Sequence, residues 1–243
     1  MANPIKLKCI VSSIINHDDA VSTITMTPSR RLPNFKPGQF LHLALDPFDP
    51  TVGFWPESRV FSIASMPLDP DITIAYGVKG AFTKRMREEL AVGKEVWIRL
   101  PYGHFGLAAS PDEEIILVAG GTGITPFSAF ILNELWRSSG MVLKLVYGVK
   151  KPDLFLFTDM LIEAMSRLSG FKLFAFSEEI YDNKMLFSIN KGSLSFDKIW
   201  EAANDPASAT FYLSGPVNMI NSLKAGLKEK GINPEKIKID EWE

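Results

Sequence analysis

Residues 115 to 132, IILVAGGTGITPFSAFIL, carry no charge and are long enough to cross a bilayer if they formed one helix. Three glycines, two threonines and a proline divide the stretch, and its apolar ends differ in kind: a short β-branched run, then a helix-like segment. It reads as a buried strand, a tight turn and a helix. The same alternation continues through LKLVYGV, a helix near 158–168, FKLFAFS, a helix near 195–203, FYLSG, a helix from about 217 to 230, and IKIDEW. Strand and helix in strict alternation predict a parallel sheet with helices on both faces.

Residues 5 to 100 follow another pattern. Short runs, KCIVSSI, STITMTP, QFLHLAL, RVFSIAS, ITIAYGV and EVWIRL, are separated by Pro, Gly and Asp clusters at the spacing of a small antiparallel barrel. One helix interrupts them over 81–90, with Phe82, Met86 and Leu90 at helical spacing and Thr83 near its start. The character changes within PYGHFGLAASPDEE, which places a boundary near 108–114 and domains at 1–110 and 111–243. No internal repeat or low-complexity tract appears.

Composition narrows the function classes. Apolar residues are 46% and charged residues 22% of the 243, as in ordinary globular chains. The 26 basic and 28 acidic residues give a net charge of −2 with no basic block, so a nucleic-acid partner is not expected. Cys9 is the single cysteine and three histidines accompany it, too few for a thiolate-held metal or a four-cysteine cluster; no metal site is expected. The N-terminus lacks the apolar core of a signal peptide, and the expected location is cytoplasmic, without a membrane span.

The turn GGTGITP, residues 120 to 126, carries the clearest chemistry. Gly120, Gly121 and Gly123 allow a tight turn and a close approach of backbone to a ligand, and Pro126 suits a first helical turn. N–H groups from Gly121, Thr122, Gly123, Ile124 and Thr125, with the positive end of the helix dipole, suit a pyrophosphate. A turn that binds nothing is the alternative reading. No Gly-Lys-Ser/Thr follows, so it is not a Walker A loop, and Pro126 stands where the usual dinucleotide fingerprint has its last Gly.

Together with its neighbours this turn resembles the nucleotide-binding domain of the ferredoxin-NADP reductase superfamily, and the resemblance covers nearly the whole chain. Arg59-Val60-Phe61-Ser62-Ile63-Ala64-Ser65 resembles the family's Arg-x-Tyr-Ser-x-x-Ser flavin motif, preceded by Phe35 to Phe40. Gly80-Ala81-Phe82-Thr83 resembles the flavin-phosphate segment, and Pro101 to Gly106 the loop that closes the barrel. Tyr147-Gly148, Ser214-Gly215-Pro216 and Asp240-Glu241-Trp242 follow in the family's order.

The resemblance implies an antiparallel flavin-binding β-barrel followed by a parallel-sheet NAD(P)-binding α/β domain. It implies FAD, with FMN as the alternative, held by Arg59, Val60, Phe61, Ser62, Tyr76, Val78, Gly80, Ala81, Phe82, Thr83 and Trp242. It implies NADH or NADPH on Gly121 to Thr125, Ser177, Glu178, Ser214, Gly215 and Pro216, with Ser62, Ser214 and Glu241 near the reacting rings. The side chains have the chemistry these roles need, since Arg59 offers a cation for phosphate, Phe61 a planar apolar surface, and Thr83 a helix start. By themselves they also read as a surface charge, a core aromatic and a plain cap.

Three departures from the family pattern stand out. Phe61 replaces the more usual Tyr and loses a hydroxyl. Ser214 stands where many members have Cys. Ser177-Glu178 occupies the place of the Ser-Arg pair that receives the 2′-phosphate in NADP-specific members; a carboxylate repels phosphate and accepts from a ribose hydroxyl, so NADH is expected over NADPH. The implied activity is an NAD(P)H-dependent flavoprotein reductase passing electrons to a separate acceptor such as a ferredoxin, an oxygenase component or a cytochrome. The alternatives are a reductase of free flavin, or an electron-transfer subunit of a larger redox complex.

Overall fold

The computed structural model describes residues 3–107, 113–181 and 185–240. The expected boundary at 110 and 111, and the candidates Glu241 and Trp242, lie outside the described residues. The chain divides into two compact units, Met1–Gly106 and Leu107–Glu243.

The first unit holds β1 (Ile5–Asn16), β2 (Val21–Pro28), β3 (Phe40–Ala44), β4 (Ser58–Ser62), β5 (Ile72–Gly77), α1 (Ala81–Glu89) and β6 (Glu95–Tyr102). They form one antiparallel sheet in the order β4-β3-β6-β1-β2-β5. Ala64 N–H donates to the Thr73 carbonyl at 2.8 Å, and Thr73 N–H donates to Ser65 Oγ at 3.1 Å, so the two end strands are drawn together just past β4 and the barrel is nearly closed. Alternation turns Leu7, Cys9 and Val11 of β1, Leu41 and Leu43 of β3, and Val96, Ile98 and Leu100 of β6 into one interior, which Phe82 and Met86 of α1 join. Burying each such side chain contributes about 1.5–3 kcal/mol.

The second unit holds β7 (Ile115–Gly120), a 3₁₀ turn (Gly121–Ile124), α2 (Thr125–Arg137), β8 (Leu143–Val149), α3 (Thr158–Arg167), β9 (Phe171–Ser177), β10 (Ile189–Lys191), α4 (Phe196–Ala202), β11 (Thr210–Ser214), α5 (Val217–Glu229) and β12 (Ile237–Ile239), with further 3₁₀ turns at Pro152–Leu154 and Pro234–Lys236. Its sheet runs β10-β9-β8-β7-β11-β12, every neighbouring pair parallel. Ile116, Val118, Phe211 and Leu213 face Ile199 of α4 and Ile220, Leu223 and Leu227 of α5. On the other face Tyr212 meets Phe130 of α2 edge-on, ring centroids 6.1 Å apart. Burial on both faces explains the unbroken apolar run of β7.

At the edge where these strands begin, the buried Lys144 ammonium lies 2.7 Å from Glu114 Oε1 and donates to the Ala202 carbonyl and Asn204 Oδ1. Its charge is thus paired and two of its donors are hydrogen-bonded, and removing one partner of such a buried pair costs about 3–5 kcal/mol. Charge at that edge is consumed by structure. The opposite edge carries the candidate chemistry.

Candidate functional site

Because every strand of the second sheet points the same way, the ends of β7, β8, β9, β11 and β12 share one edge. The chain reverses its direction of growth at β7, with β8 on one side and β11 on the other. Such a switch point opens a crevice outside the carboxyl ends of the strands, where ligands of open α/β sheets bind. The turn Gly121–Ile124 sits there and feeds α2, which has Pro126 in its first turn.

Three glycines build the turn in two ways. A Cβ on Gly123 would run into the Ser214 carbonyl, and one on Gly120 would come within 2.7 Å of Met219 Sδ and 2.8 Å of Pro216 Cδ. Gly121 has φ +54°, and nothing lies within 4 Å of its Cβ position. The first two are closeness requirements of packing; the third leaves an open cradle at the start of a helix, which fits an anionic pyrophosphate. Thr125 is buried and its hydroxyl donates to the Thr122 carbonyl at 2.6 Å, so its side chain serves the turn itself.

The flanking strand ends place the remaining candidates. Ser177 closes β9 fully buried, with its hydroxyl donating to the Lys150 carbonyl at 3.2 Å. Glu178 follows, exposed, its N–H bonded to the Val149 carbonyl at 3.2 Å. On the other side of β7, Ser214 closes β11 and pairs with Ala119, and Gly215 follows with φ +147°. From β9 to β11 is three strand spacings, about 14 Å at 4.7–4.9 Å each, a span that suits a dinucleotide laid across the edge.

Asp240, in the sequence only one letter of a terminal motif, proves part of this edge. Ser214 Oγ donates to Asp240 Oδ2 at 3.1 Å, and both residues are buried. Residues 26 apart in sequence meet because β12 lies beside β11, a contact that no local pattern announces. Tyr147, also in the motif series, is wholly buried and accepts from Leu156 N–H at 3.2 Å; burial pushes its phenol well above the usual range, and it holds the β8 end in place.

In the first unit, the candidates gather along β4, β5 and the start of α1. Arg59 is exposed, 2.9 Å from Glu57 Oε1, with its guanidinium 5.1 Å from the Phe82 ring centroid. Phe61 is only 8% exposed and belongs to the barrel interior, its ring edge-on to Tyr76 at 6.4 Å. Tyr76 is buried too, which raises its phenol pKa, and Val78 ties its N–H to the Ala20 carbonyl at 2.6 Å. Ser62 ends β4, buried, on the face opposite Phe61. Val60, half-buried, shares that face.

The α1 start is an ordered turn. Thr83 Oγ1 accepts from Lys79 N–H at 2.9 Å and Gly80 N–H at 3.1 Å, and donates to the Gly80 carbonyl at 3.1 Å. Nothing lies within 4 Å of a Gly80 Cβ position, so there is room beside the start of α1, where the first-turn N–H groups have no partner within the helix. Phe82 itself points into the core. An anionic phosphate fits this turn, with Arg59 nearby over the Phe82 ring. In the barrel-closing segment, Gln39 Nε2 donates to the Gly103 carbonyl at 3.0 Å, and Phe40 stacks on Tyr102. A groove of about 640 Å³ on the outside of the barrel, lined by Lys6, Phe48 and Trp97 among others, contains none of the expected site residues. Among the described residues no cluster suits a metal ion, and no helix is long and apolar enough to cross a membrane.

Residues 117–225 match the family model described as the oxidoreductase NAD-binding domain. The chain is 27% identical over 216 residues to the electron transfer component of 2-halobenzoate 1,2-dioxygenase from Burkholderia cepacia, covering 87% of this chain and 60% of that one. It is 25% identical to the glycine betaine monooxygenase reductase subunit of Chromohalobacter salexigens, covering 82% and 54%. It therefore spans between half and two thirds of the length of these relatives. Among solved structures, an Amycolatopsis cytochrome P450 reductase superposes with a TM-score of 0.78 at 19% identity over 98% of this chain and 70% of its own. The cytochrome b5 reductase domain of Ulva prolifera nitrate reductase gives 0.76 at 17% identity over 97% of each. The nearly closed barrel and the parallel sheet with its glycine turn at the switch point give the chain the fold of the ferredoxin-NADP reductase-like superfamily, and its sequence is similar to reductase components of that kind.

Proposed function

We propose that this protein is an NADH-dependent flavoprotein reductase that hands electrons to a separate acceptor protein. The observation that carries the reading is the Gly121 cradle at the switch point, within a segment that matches an oxidoreductase NAD-binding domain. When bound, the nicotinamide supplies a hydride, and the flavin takes it and releases electrons one or two at a time. The chain's own part is binding and orientation. Backbone N–H groups of Gly121 to Ile124 hold the dinucleotide's pyrophosphate, and Ser214 with Gly215 borders its nicotinamide half. Glu178 accepts from the adenosine ribose and repels a 2′-phosphate. In the barrel, the Gly80 to Thr83 turn and Arg59 hold the flavin phosphates. Phe61 and Tyr76 form the apolar wall beneath them.

Relatives named as electron transfer or reductase components of oxygenases support an oxygenase component as the acceptor. A second reading, a reductase for which flavin diffuses in and out, draws on Phe61: at 8% exposure and without a hydroxyl it adds little to flavin retention. The test is an absorption spectrum of the purified protein before and after anaerobic NADH, with released flavin identified by chromatography. A bound flavin that bleaches with NADH supports the first reading; a colourless protein that reduces added flavin supports the second. No NADH oxidation with flavin or dye overturns both. A kcat/KM for NADPH above that for NADH removes the role given to Glu178.

A further inference from the structure

Ser214 closes β11, and Asp240 follows β12, the next strand of the sheet. Asp240 N–H donates to the Leu213 carbonyl at 3.0 Å, which clips the chain beside the β11 end. The side chain then meets its neighbour: Ser214 Oγ donates to Asp240 Oδ2 at 3.1 Å, with the two residues 3% and 6% exposed. A serine hydroxyl has one proton and two lone pairs. With the proton given to Asp240, Oγ meets any further group as an acceptor alone, and burial fixes that polarity before a ligand arrives.

On the reading proposed above, on which this inference rests, the nicotinamide half of the dinucleotide lies at this strand end. The polar handle of that ring is a carboxamide, whose amide nitrogen has two donors and whose oxygen only accepts. An acceptor-only hydroxyl complements the amide nitrogen and opposes any group that brings an oxygen in its place. We propose that Ser214 reads the carboxamide N–H of the nicotinamide, and that Asp240 is the positioning residue that makes Ser214 an acceptor.

The probe is the 3-acetylpyridine analogue of NAD⁺, which keeps the carbonyl and lacks the N–H. Calorimetric titration of the full chain with NAD⁺ and with the analogue yields a ratio of affinities for wild type, Ser214→Ala, Asp240→Ala, Asp240→Asn and the double alanine variant. Wild type is expected to favour NAD⁺ by roughly ten- to a hundredfold, the loss expected when one buried acceptor is left without its donor. Each single alanine variant should lose most of that ratio, and the double variant no more than either. Asp240→Asn should keep most of it, because its amide oxygen accepts the same bond. Thermal midpoints taken alongside separate a purely structural Asp240, which lowers the midpoint and leaves the ratio unmoved. If Asp240→Ala does not fold, Ser214→Ala and Asp240→Asn carry the same contrast. Additive losses, an Asp240→Asn ratio that collapses, or a wild type that binds both ligands equally overturns the inference and leaves nucleotide binding standing. A wild type that binds neither overturns this inference and the reading beneath it.

Discussion

Two glycine-bearing turns start helices in this protein, and they use glycine for opposite reasons. At Gly80 the backbone is extended, φ −136°, a conformation open to any residue, and no atom approaches a Cβ position within 4 Å. Glycine there is room. At Gly120 and Gly123 the space is already full of Met219, Pro216 and the Ser214 backbone, and glycine is what lets β7, its turn and the β11 end close on one another. Gly121 combines a left-handed φ of +54° with open space. A glycine-rich match in a sequence therefore mixes residues kept for packing with residues kept for a ligand, and only the surroundings tell them apart.

Substitution can break this comparison. The largest effect is expected for Gly123→Ala: a methyl against the Ser214 carbonyl must displace backbone, at about 3 kcal/mol. Urea denaturation should show the loss, with dinucleotide binding abolished. Gly121→Ala should cost about 1–2 kcal/mol for the left-handed backbone, keep the fold, and weaken NADH binding at least tenfold in a fluorescence titration. Thr83→Val removes the hydroxyl that joins Lys79 N–H, Gly80 N–H and the Gly80 carbonyl, for about 1 kcal/mol, with flavin affinity falling as the turn loosens. Gly80→Ala should leave stability within about 0.5 kcal/mol and still reduce flavin affinity, measured by equilibrium dialysis. Should Gly80→Ala unfold the protein, or Gly123→Ala prove neutral, the distinction between room and packing falls.

The sequence announces much of this where the signal is local. Phe82 and Met86, four apart, place α1 and its buried face, and the β-branched run IILV places β7. β10 shows none of this: Ile189–Lys191 is three residues on the edge of the sheet, half-buried to exposed, with no run to betray it. β1 runs to Asn16, longer than its apolar core, because a register shift between Val11 and Ser13 lets exposed residues stay paired. For Phe61 the period of two places its ring on the same side of β4 as Arg59, yet Phe61 packs into the barrel interior while Arg59 is exposed, which alternation alone does not specify. The Ser214 to Asp240 bond is hidden for a different reason, since it depends on which strands the crossovers bring together.

Cys9 sits in the barrel interior, fully buried, its thiol pKa pushed up to about 12 chiefly by burial. Thiolate is the reactive form, so at neutral pH the native protein offers almost nothing for a maleimide or an oxidant to attack. The chain is thereby a ready-made background for labelling. A cysteine introduced on the exposed Lys84, paired with a second at the exposed Glu229 of α5, would take two spin labels and no third. The distance distribution between them, recorded with and without dinucleotide, would report directly on whether binding changes the separation of the two units.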